Sequence, residues 1–149
     1  HVIHWQNQQD AETGTLDMNQ WRYYHYWRDV DGNWHENLLP FFGHKPQIVL
    51  DKAGNAYVAY CKGEELRYHG LDRGGKLTIA VATEASKWTD WKTAWTADSD
   101  SVGEPLLDPD RWAAKNILSI YTQAKPAKSG QPSALQVLDF RLTAPRRGD

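Results

Sequence analysis

Apolar and polar residues alternate along many short stretches of this chain, with the period of two that is typical of half-buried β-strands. The segment LTIAVAT at 77–83 shows this alternation clearly. Helical periodicity is confined to 110–115, which predicts one or two helical turns. The remaining pattern predicts strands at 2–6, 21–28, 47–50, 56–61, 66–69, 77–83, 91–95, 117–123 and 135–142.

The segments between the predicted strands carry residues that favour tight turns. Asp31-Gly32, Ala53-Gly54-Asn55 and Gly74-Gly75 each separate two strand-like runs. Glycine and asparagine accept the positive φ angles that hairpin turns require, so these segments predict direct antiparallel connections. Consecutive strands joined in this way form a meander.

One stretch of the sequence occurs twice. PQIVLD at 46–51 followed by NAYVAY at 55–60 returns as PLLD at 105–108 followed by NILSIY at 116–121, an offset of 59 to 61 residues. Internal repeats built of short strands are typical of modular β architectures whose units cannot bury their apolar faces alone. About four strands per unit is the plan of a β-propeller blade.

The predicted fold class is therefore all-β, with antiparallel four-stranded meander blades that make up about 2.5 to 3 blades of a β-propeller. On this plan 1–37 is a partial blade, 46–95 a full blade and 104–142 another partial blade, followed by a tail at 143–149. A sandwich with Greek-key crossovers is the alternative, which the repeat disfavours. Open blade faces lead us to expect poor stability or self-association.

Charge and composition narrow the range of partners. Seventeen basic and nineteen acidic residues give a net charge of −2 with the signs interspersed, so no nucleic-acid partner is predicted. No apolar run reaches the roughly 18 residues needed to cross a membrane, and no membrane partner is predicted. The single cysteine, Cys61, excludes an internal disulfide. Eight Trp and seven Tyr residues fit either sheet packing or stacking on sugars.

The segment RYYHYWRDVDGNW at 22–34 resembles a blade of the BNR-repeat, or Asp-box, propellers. Their motif, Ser-x-Asp-x-Gly-x-Thr-Trp, closes a turn between two strands. Asp29 and Trp34 keep the Asp-to-Trp spacing of the motif, whereas the Gly lies one position late, and a second degenerate copy lies at 86–91. In a propeller this turn lies opposite the ligand face, so it is expected to be scaffold, held by Asp hydrogen bonds and Trp packing.

A longer pattern extends the resemblance over 1–142. It comprises YYHYWRDVDGNWHENLLP, KPQIVLDKAGNAYVAY, the segment at 82–91, GEPLLDPDRW and LQVLDFRL. These segments look like the C-terminal part of bacterial BNR-repeat proteins, which include sialidase-like propellers and polysaccharide lyases of the ulvan lyase type. The resemblance implies a secreted or periplasmic, seven-bladed, carbohydrate-active protein. It also implies that His, Tyr and Arg side chains act on its central face, mostly on missing N-terminal blades, which are an expected partner of this segment.

The propeller plan ranks the candidate site residues, because inner strands begin at the ligand face. His44 and Lys45 begin one inner strand, and Glu104 begins the next. Proton abstraction beside a uronate carboxylate needs a base, a cation and an acid for the leaving oxygen. That chemistry makes His44 and Lys45 the leading catalytic pair; a solvated loop is the alternative. The residues expected to bind substrate at this face are Trp5, Gln6, Asn19, Glu104 and Gln123.

Two more residues are candidates for catalysis. Arg22 is placed to clamp a carboxylate with two hydrogen bonds and is preferred over Arg28, which lies nearer the opposite face. His25, on a strand between tyrosines, is either catalytic or a buried, hydrogen-bonded residue. His4 and His25 could face each other across two strands, but no ligand spacing supports a metal, and no metal site is predicted.

Three functions compete. The first is a polysaccharide lyase that cleaves an anionic, uronate-containing glycan by β-elimination, with a polysaccharide or oligosaccharide as partner. The second is a sialidase-like glycoside hydrolase, which needs an arginine cluster and a carboxyl pair that could include Glu104. The third is a noncatalytic glycan-binding propeller, and fold alone does not separate the three. No cofactor is predicted, although a longer protein could hold a structural metal ion, and this segment alone is expected to be inactive.

Overall fold

A computed structural model describes residues 1–10, 12–62, 74–128 and 130–142. Within them, the helix α1 (Pro109–Lys115) lies at the predicted position, and a short 3-10 helix spans Glu84–Ser86. All other regular structure is β. The strands are β1 (Val2–Gln9), β2 (Leu16–Arg28), β3 (Trp34–Leu38), β4 (Gly43–Leu50), β5 (Ala56–Lys62), β6 (Gly75–Ala82), β7 (Lys92–Leu107), β8 (Leu118–Ala124) and β9 (Leu135–Phe140).

The strands form two antiparallel meanders. β1, β2 and β3 make a three-stranded sheet, and β4 to β9 make a six-stranded sheet in chain order. All of these neighbouring strands pair in antiparallel register. The predicted all-β class and meander topology are confirmed, and the architecture is consistent with part of a β-propeller.

β7 differs from the expectation that each blade is a separate sheet. Its first half pairs with β6 and its second half with β8, where Leu106 lies opposite Tyr121. The expected inner strand at 104–107 is therefore continuous with the outer strand before it. Gly103 lies between the two halves with a φ of +75°. Glycine adopts this left-handed conformation readily, so the chain can change direction without ending the strand.

The two sheets stack as three layers. The first layer is β1–β3, the second is β4–β6 with the first half of β7, and the third is the rest of β7 with β8 and β9. Val58 of β5 belongs to a core with Tyr23 of the first layer. Tyr57, one residue earlier, belongs to a core with Ile120 of the third layer. Because the middle layer is covered on both faces, 56–61 is one continuous buried run.

Tryptophans fill the spaces between the layers, among them Trp88, Trp91 and Trp95. Trp88 is 6% exposed and packs on Trp27 of the first layer, with ring centroids 4.9 Å apart. Trp91 contacts the cores on that same side. Trp95 packs in the other direction, with its ring centroid 4.8 Å from that of Phe140 in β9. Aromatic rings bury large areas, so these contacts contribute much of the packing between layers.

The β4–β5 turn is closed by the carboxylate of Asp51. Its Oδ1 accepts hydrogen bonds from the backbone N–H groups of Ala53 and Asn55, both at 2.9 Å. Its Oδ2 accepts from Asn55 Nδ2 at 2.8 Å and from the hydroxyl of Tyr57 at 3.1 Å. Burial raises the pKa of this carboxyl, but these hydrogen bonds outweigh burial and leave the pKa below its usual value. Gly54 supplies the positive φ, +79°, that the turn requires.

The β2–β3 turn repeats the same Asp-x-x-Gly-Asn arrangement. Asp29 accepts from the backbone and side chain of Asn33, and its Oδ2 lies 2.8 Å from His35 Nε2. The predicted hydrogen bonding by Asp29 is therefore present. The predicted packing of Trp34 was wrong, because Trp34 is 61% exposed. His35 takes that place and stacks on Trp27 with ring centroids 4.0 Å apart.

Some strand limits differ from the sequence pattern. β3 was not among the strands predicted from alternation, because most of its residues are exposed on a sheet edge and carry no clear apolar period. β2 begins at Leu16, well before the predicted 21. The strand predicted at 66–69 lies outside the described residues.

The hydrogen bonds of Asp51 predict a measurable stability difference. Asp51→Ala should lower the free energy of unfolding by about 2 kcal/mol, because hydrogen bonds to a charged group contribute roughly 1.5–3 kcal/mol. Urea unfolding followed by tryptophan fluorescence measures the loss. Asp31→Ala is the control, since Asp31 is an exposed turn residue and should contribute little. Equal losses in both variants would contradict a role for the Asp51 hydrogen bonds.

Candidate functional site

The connections between strands divide the molecule into two ends. One end, which we call the Asp-turn end, carries the β2–β3 and β4–β5 turns and helix α1. Trp112 of α1 donates from Nε1 to the carbonyl of Leu50 at 2.8 Å and so joins α1 to the β4–β5 turn. The other end, the cavity end, carries the start of β4, where Gly43 lies opposite Lys62 of β5. This is the end at which the propeller plan places the ligand.

A cavity of about 340 Å³ lies at the cavity end, over β7, β8 and the start of β9. Two predicted site residues, Glu104 and Gln123, line it. Tyr121 lines it as well and is 36% exposed. The volume is within the range of about 300–1,000 Å³ that is usual for small-ligand sites. The other lining residues are Gly103, Leu106, Thr122 and Leu135.

Lys45 and Glu104 form an ion pair between the second and third layers. The pairing of β4 with β5 is irregular between His44 and Gln47, and Lys45 within this irregularity has a φ of +26°. An irregularity of this kind changes the direction in which a side chain points, and here it lets Lys45 contact Glu104 of β7. The side chains of Lys45 and Glu104 are 29% and 36% exposed, so the ion pair is open to a ligand.

Gln6 and Arg22 lie on the outward face of the first layer, which we call the front face. They are register partners on β1 and β2, in the half of the sheet nearer the cavity end. Arg22 and Glu104 were both expected at one ligand face. They lie toward the same end of the stack but on opposite outer sides of it. The front face also carries Val2, His4, Tyr24, Tyr26, Arg28, Trp34, Glu36 and Leu38.

The outward face of the third layer, which we call the rear face, is apolar and open. Leu106, Tyr121 and Val137 follow one another in register across β7, β8 and β9, and Leu135 lies opposite Gln123. Leu106 is 54% exposed, Val137 50% and Leu135 70%. Their sequence neighbours pack in the core on the other side of the layer, so this sheet is apolar on both faces.

Three other predicted site residues are not seen to line the cavity. Trp5 packs in the core between the first and second layers, beside its register partner Tyr23. It therefore serves packing in this chain and does not line the cavity. The backbones of His44 and Asn19 belong to β4 and β2, but their side chains lie outside the described part of the structure.

His25 is fully buried between the first and second layers. Its Nε2 lies 2.9 Å from His1 Nδ1, and its ring stands edge-on to Trp88. Burial lowers the pKa of His25 to about 4, so the ring is neutral near pH 7. His25 lies opposite Ile3 in the register, which puts it and His4 on opposite faces of the sheet. This position has the environment of a buried, hydrogen-bonded histidine.

The described side chains at the cavity end offer charge, hydrogen bonding and an aromatic ring. Lys45 supplies a cation, Glu104 and Gln123 supply polar groups, and Tyr121 supplies the ring. Among the described residues, no group of three or more His, Cys, Asp or Glu side chains is arranged to hold a metal ion. Cys61 is buried, and burial raises its pKa to about 11, so its thiol stays protonated at neutral pH.

Sequence reasoning missed Tyr121. The repeat aligns it with Tyr60, which is 2% exposed in the middle layer. The two tyrosines differ because the middle layer is covered on both faces, whereas the third layer has one open face. Strand alternation was the available signal, since Tyr121 shares its side of β8 with Gln123.

Comparisons with known proteins do not assign a family. No protein-family model matches the chain, and no curated protein was found that matches it. The BNR-repeat resemblance therefore depends on the segments at 23–40, 45–60, 82–91, 103–112 and 135–142. Among the described helices, neither is long and apolar enough to cross a membrane.

The lowered pKa of His25 predicts acid-sensitive stability. The pKa falls from 6.5 to about 4 on folding, so the unfolded state binds more protons between these values. The free energy of unfolding should then decrease as pH drops from 6.5 toward 4, by up to about 3 kcal/mol. His25→Gln retains hydrogen bonding without titrating, so it should remove most of this pH dependence.

Urea unfolding at a series of pH values measures the effect of His25. His4→Gln is the matched control, because it removes an exposed histidine of the front face and leaves His25 in place. A pH dependence that persists in His25→Gln would assign the titration to another group.

Proposed function

We propose that this chain is part of a carbohydrate-active β-propeller whose cavity end binds an anionic, uronate-containing glycan. The whole protein is proposed to be a secreted or periplasmic polysaccharide lyase of the BNR-repeat kind. The observation that carries the proposal is the meeting of Lys45 and Glu104, from two different strands, beside a cavity that Gln123 also lines.

The chemistry of the cavity suits a charged sugar. A uronate presents a carboxylate, several hydroxyl groups and a face of C–H bonds. Lys45 can pair with the carboxylate through a charge-assisted hydrogen bond. Glu104 and Gln123 can exchange hydrogen bonds with the hydroxyls, and the Tyr121 ring can stack on the C–H face. These groups lie close together without any rearrangement of the strands.

β-Elimination would cleave such a glycan by linked changes at one sugar. A base removes the proton from the carbon beside the carboxylate, the electron pair forms a carbon–carbon double bond, and the glycosidic C–O bond breaks as its oxygen gains a proton. Negative charge spreads onto the carboxylate as the proton leaves, so a cation beside it stabilises the transition state. Lys45 is the proposed cation, and His44 remains the proposed base from the sequence.

A hydrolase and a noncatalytic binding protein would use the same cavity differently. A glycoside hydrolase needs a carboxylic acid that donates a proton, together with a second carboxylate. Glu104 is instead ion-paired with Lys45, an arrangement that suits accepting hydrogen bonds. This contact favours glycan binding or elimination over hydrolysis as the role of Glu104.

Incubation with polygalacturonate and with alginate tests the proposal. Elimination gives an unsaturated product that absorbs ultraviolet light, and hydrolysis gives new reducing ends without that absorbance. Binding alone gives a calorimetric signal with neither product. Because this segment alone is expected to be inactive, the binding signal is the one that it should give, and absence of binding to both polymers would contradict the proposed function.

Lys45 should matter more to uronate binding than a second cation far from the cavity. Lys45→Ala should cost about 2–4 kcal/mol, because it removes a charge-assisted contact from a partly desolvated site. Arg28→Ala is the matched control, since Arg28 is exposed and donates to the carbonyl of Gly32 at the Asp-turn end, and it should cost little. Titration calorimetry with a galacturonate oligomer measures both. Equal losses, or a larger loss for Arg28→Ala in a folded protein, would place the ligand at the Asp-turn end.

Glu104→Gln separates the competing functions. In a uronate site it should strengthen binding several-fold, because it removes the carboxylate that competes with the ligand for Lys45. In a hydrolase that uses Glu104 as its acid, the same change should abolish turnover. Calorimetry with the galacturonate oligomer and the product assay distinguish these results.

A further inference from the structure

We infer that the free edge of β9 is a strand-docking site, which takes an extended polypeptide segment with the chemistry of the first half of β7 (92–101). The added segment would run antiparallel to β9 and continue the six-stranded sheet. The inference is argued from the register, burial and hydrogen bonding of the chain itself, and it does not depend on the proposed glycan site.

β9 occupies the same position in its repeat unit as β6 does in the unit before. Val58 of β5 lies opposite Ala80 of β6, and Leu118 of β8 lies opposite Phe140 of β9. Both residues of the second pair lie 60 residues after their counterparts in the first pair, which agrees with the offset of the sequence repeat. The repeat is therefore kept in the strand register, and β6 indicates the contacts that β9 can make.

β6 has a paired strand on both sides, whereas β9 has one. β6 pairs with β5 along one edge and with the first half of β7 along the other, where Ile79 lies opposite Trp95. Among the described strands, β9 pairs with β8 alone and is the last strand of the sheet. The counterpart of the first half of β7 is the strand that β9 lacks. One repeat unit earlier, the molecule thus shows what pairs with this edge.

The burial of β6 and β9 differs as a missing partner predicts. Residues 77–82 of β6 are buried without interruption, whereas no residue of β9 is fully buried. Leu138 and Phe140 pack against the core between the second and third layers, yet both stay partly exposed. Their counterparts in β6, Thr78 and Ala80, are each 1% exposed. A strand added beside β9 would cover Leu138 and Phe140 on their open side.

The backbone groups that point away from β8 follow from one hydrogen bond. The backbone N–H of Ala124 donates to the carbonyl of Ala134 at 2.9 Å, so these two residues form a hydrogen-bonded pair. Hydrogen-bonded pairs alternate along an antiparallel ladder, and the β8–β9 register continues without a shift. The even-numbered residues of β9 therefore bond to β8. The odd-numbered residues direct their N–H and C=O groups toward the free edge; they are Leu135, Val137 and Asp139.

β9 carries little of the protection that is usual on edge strands. Lysine, proline or a β-bulge commonly prevents such a strand from pairing with another segment. The sequence of β9, LQVLDF at 135–140, contains neither lysine nor proline, and its pairs with β8 follow one another without a bulge. Its one charged side chain, Asp139, is already held by Arg111 and Ser119, each at 2.6 Å. The backbone of β9 is therefore regular and open to a new strand.

The other terminal strands of the two sheets lack this combination. β4 is the first strand of its repeat unit, and its counterpart, the second half of β7, also pairs on one side only. An open edge is therefore usual at that position of the repeat. In the three-stranded sheet, β1 has a register shift between Asn7 and Gln8, and β3 carries His35 and Glu36. β9 is the edge at which the repeat predicts another strand.

A capped synthetic peptide with the sequence of 91–98, WKTAWTAD, tests the docking site. Added in large excess to the full chain, it should slow hydrogen exchange at Leu135, Val137 and Asp139 by roughly tenfold or more, because their N–H groups gain acceptors. Exchange at β1 and β3 should stay as it was. No slowing at β9, or slowing at another edge instead, would overturn the inference.

N-methylated peptides test the register. The counterpart of Asp139 in β6 is Ile79, which lies opposite Trp95. The N–H of Trp95 in the peptide should therefore donate to the carbonyl of Asp139, and the N–H of Thr96 should point away. N-methylation at Trp95 should weaken binding roughly tenfold, whereas N-methylation at Thr96 should change it little. Fluorescence anisotropy of labelled peptides measures both, and equal losses would overturn the inferred register.

Val137→Pro tests the edge from the side of the chain. Proline removes an N–H that points toward the free edge and leaves the hydrogen bonds to β8 in place, so the variant should fold and lose peptide binding by roughly tenfold or more. Val137→Ala is the matched control, because it shortens the same side chain but keeps the N–H, and it should retain most of the binding. Urea unfolding checks that both variants fold. Unchanged binding by a folded Val137→Pro variant would overturn the inference.

Sedimentation equilibrium without peptide tests a second copy as the occupant. The repeat places a strand like the first half of β7 beside this edge, and not another β9, so pairing of β9 with β9 of a second copy is not expected. A dimer of the unchanged chain that Val137→Pro dissociates would show such pairing and would overturn the inferred occupant. Loss of glycan binding in any of these experiments would bear on the proposed function alone.

Discussion

The packing of one sheet layer between two others is the contact on which this structure depends. β5 and β6 send successive side chains to opposite cores, so that the runs 56–61 and 77–82 are buried without interruption. Burial of apolar area stabilises a fold by roughly 25 cal/mol per Å². The middle layer has both faces covered, so it gains most per residue, and the outer layers are held in place by the face that they share with it.

The β4–β5 turn, which Asp51 closes, helps to fix the register that this packing requires. A slip of one residue between β4 and β5 would exchange the two faces of the middle layer, since strand side chains alternate. Tyr57 resists such a slip in two ways: its hydroxyl donates to Asp51, and its ring packs edge-on to Trp112 of α1 with centroids 5.9 Å apart. Tyr57 therefore contributes to the β4–β5 turn, to the strand register and to the core.

Sequence periodicity predicted the fold class because alternation and a 60-residue repeat are properties of local chain segments. It also identified Glu104 and Gln123 as neighbours of one end, since strand direction follows from the order of the turns. Sequence periodicity did not predict the continuity of β7, the exposure of Tyr121 or the burial of His25. These features depend on which sheet layers pack against each other, and a local sequence pattern does not contain that information. Tyr60 and Tyr121 occupy equivalent repeat positions. They differ in exposure because another layer covers the sheet face on which Tyr60 lies and none covers that of Tyr121.

The candidate site is a consequence of the layer contact. Lys45 and Glu104 belong to different layers, so their distance is set by how closely β4 and the second half of β7 approach. At the start of β4 a side chain at Gly43 would overlap the carbonyl oxygen of Cys61, which means that glycine is needed for the close approach of β4 to β5 there. The irregular register that follows lets Lys45 leave the alternation and reach the third layer. A substitution in the core that moved the second and third layers apart would therefore break the Lys45–Glu104 ion pair without changing either residue.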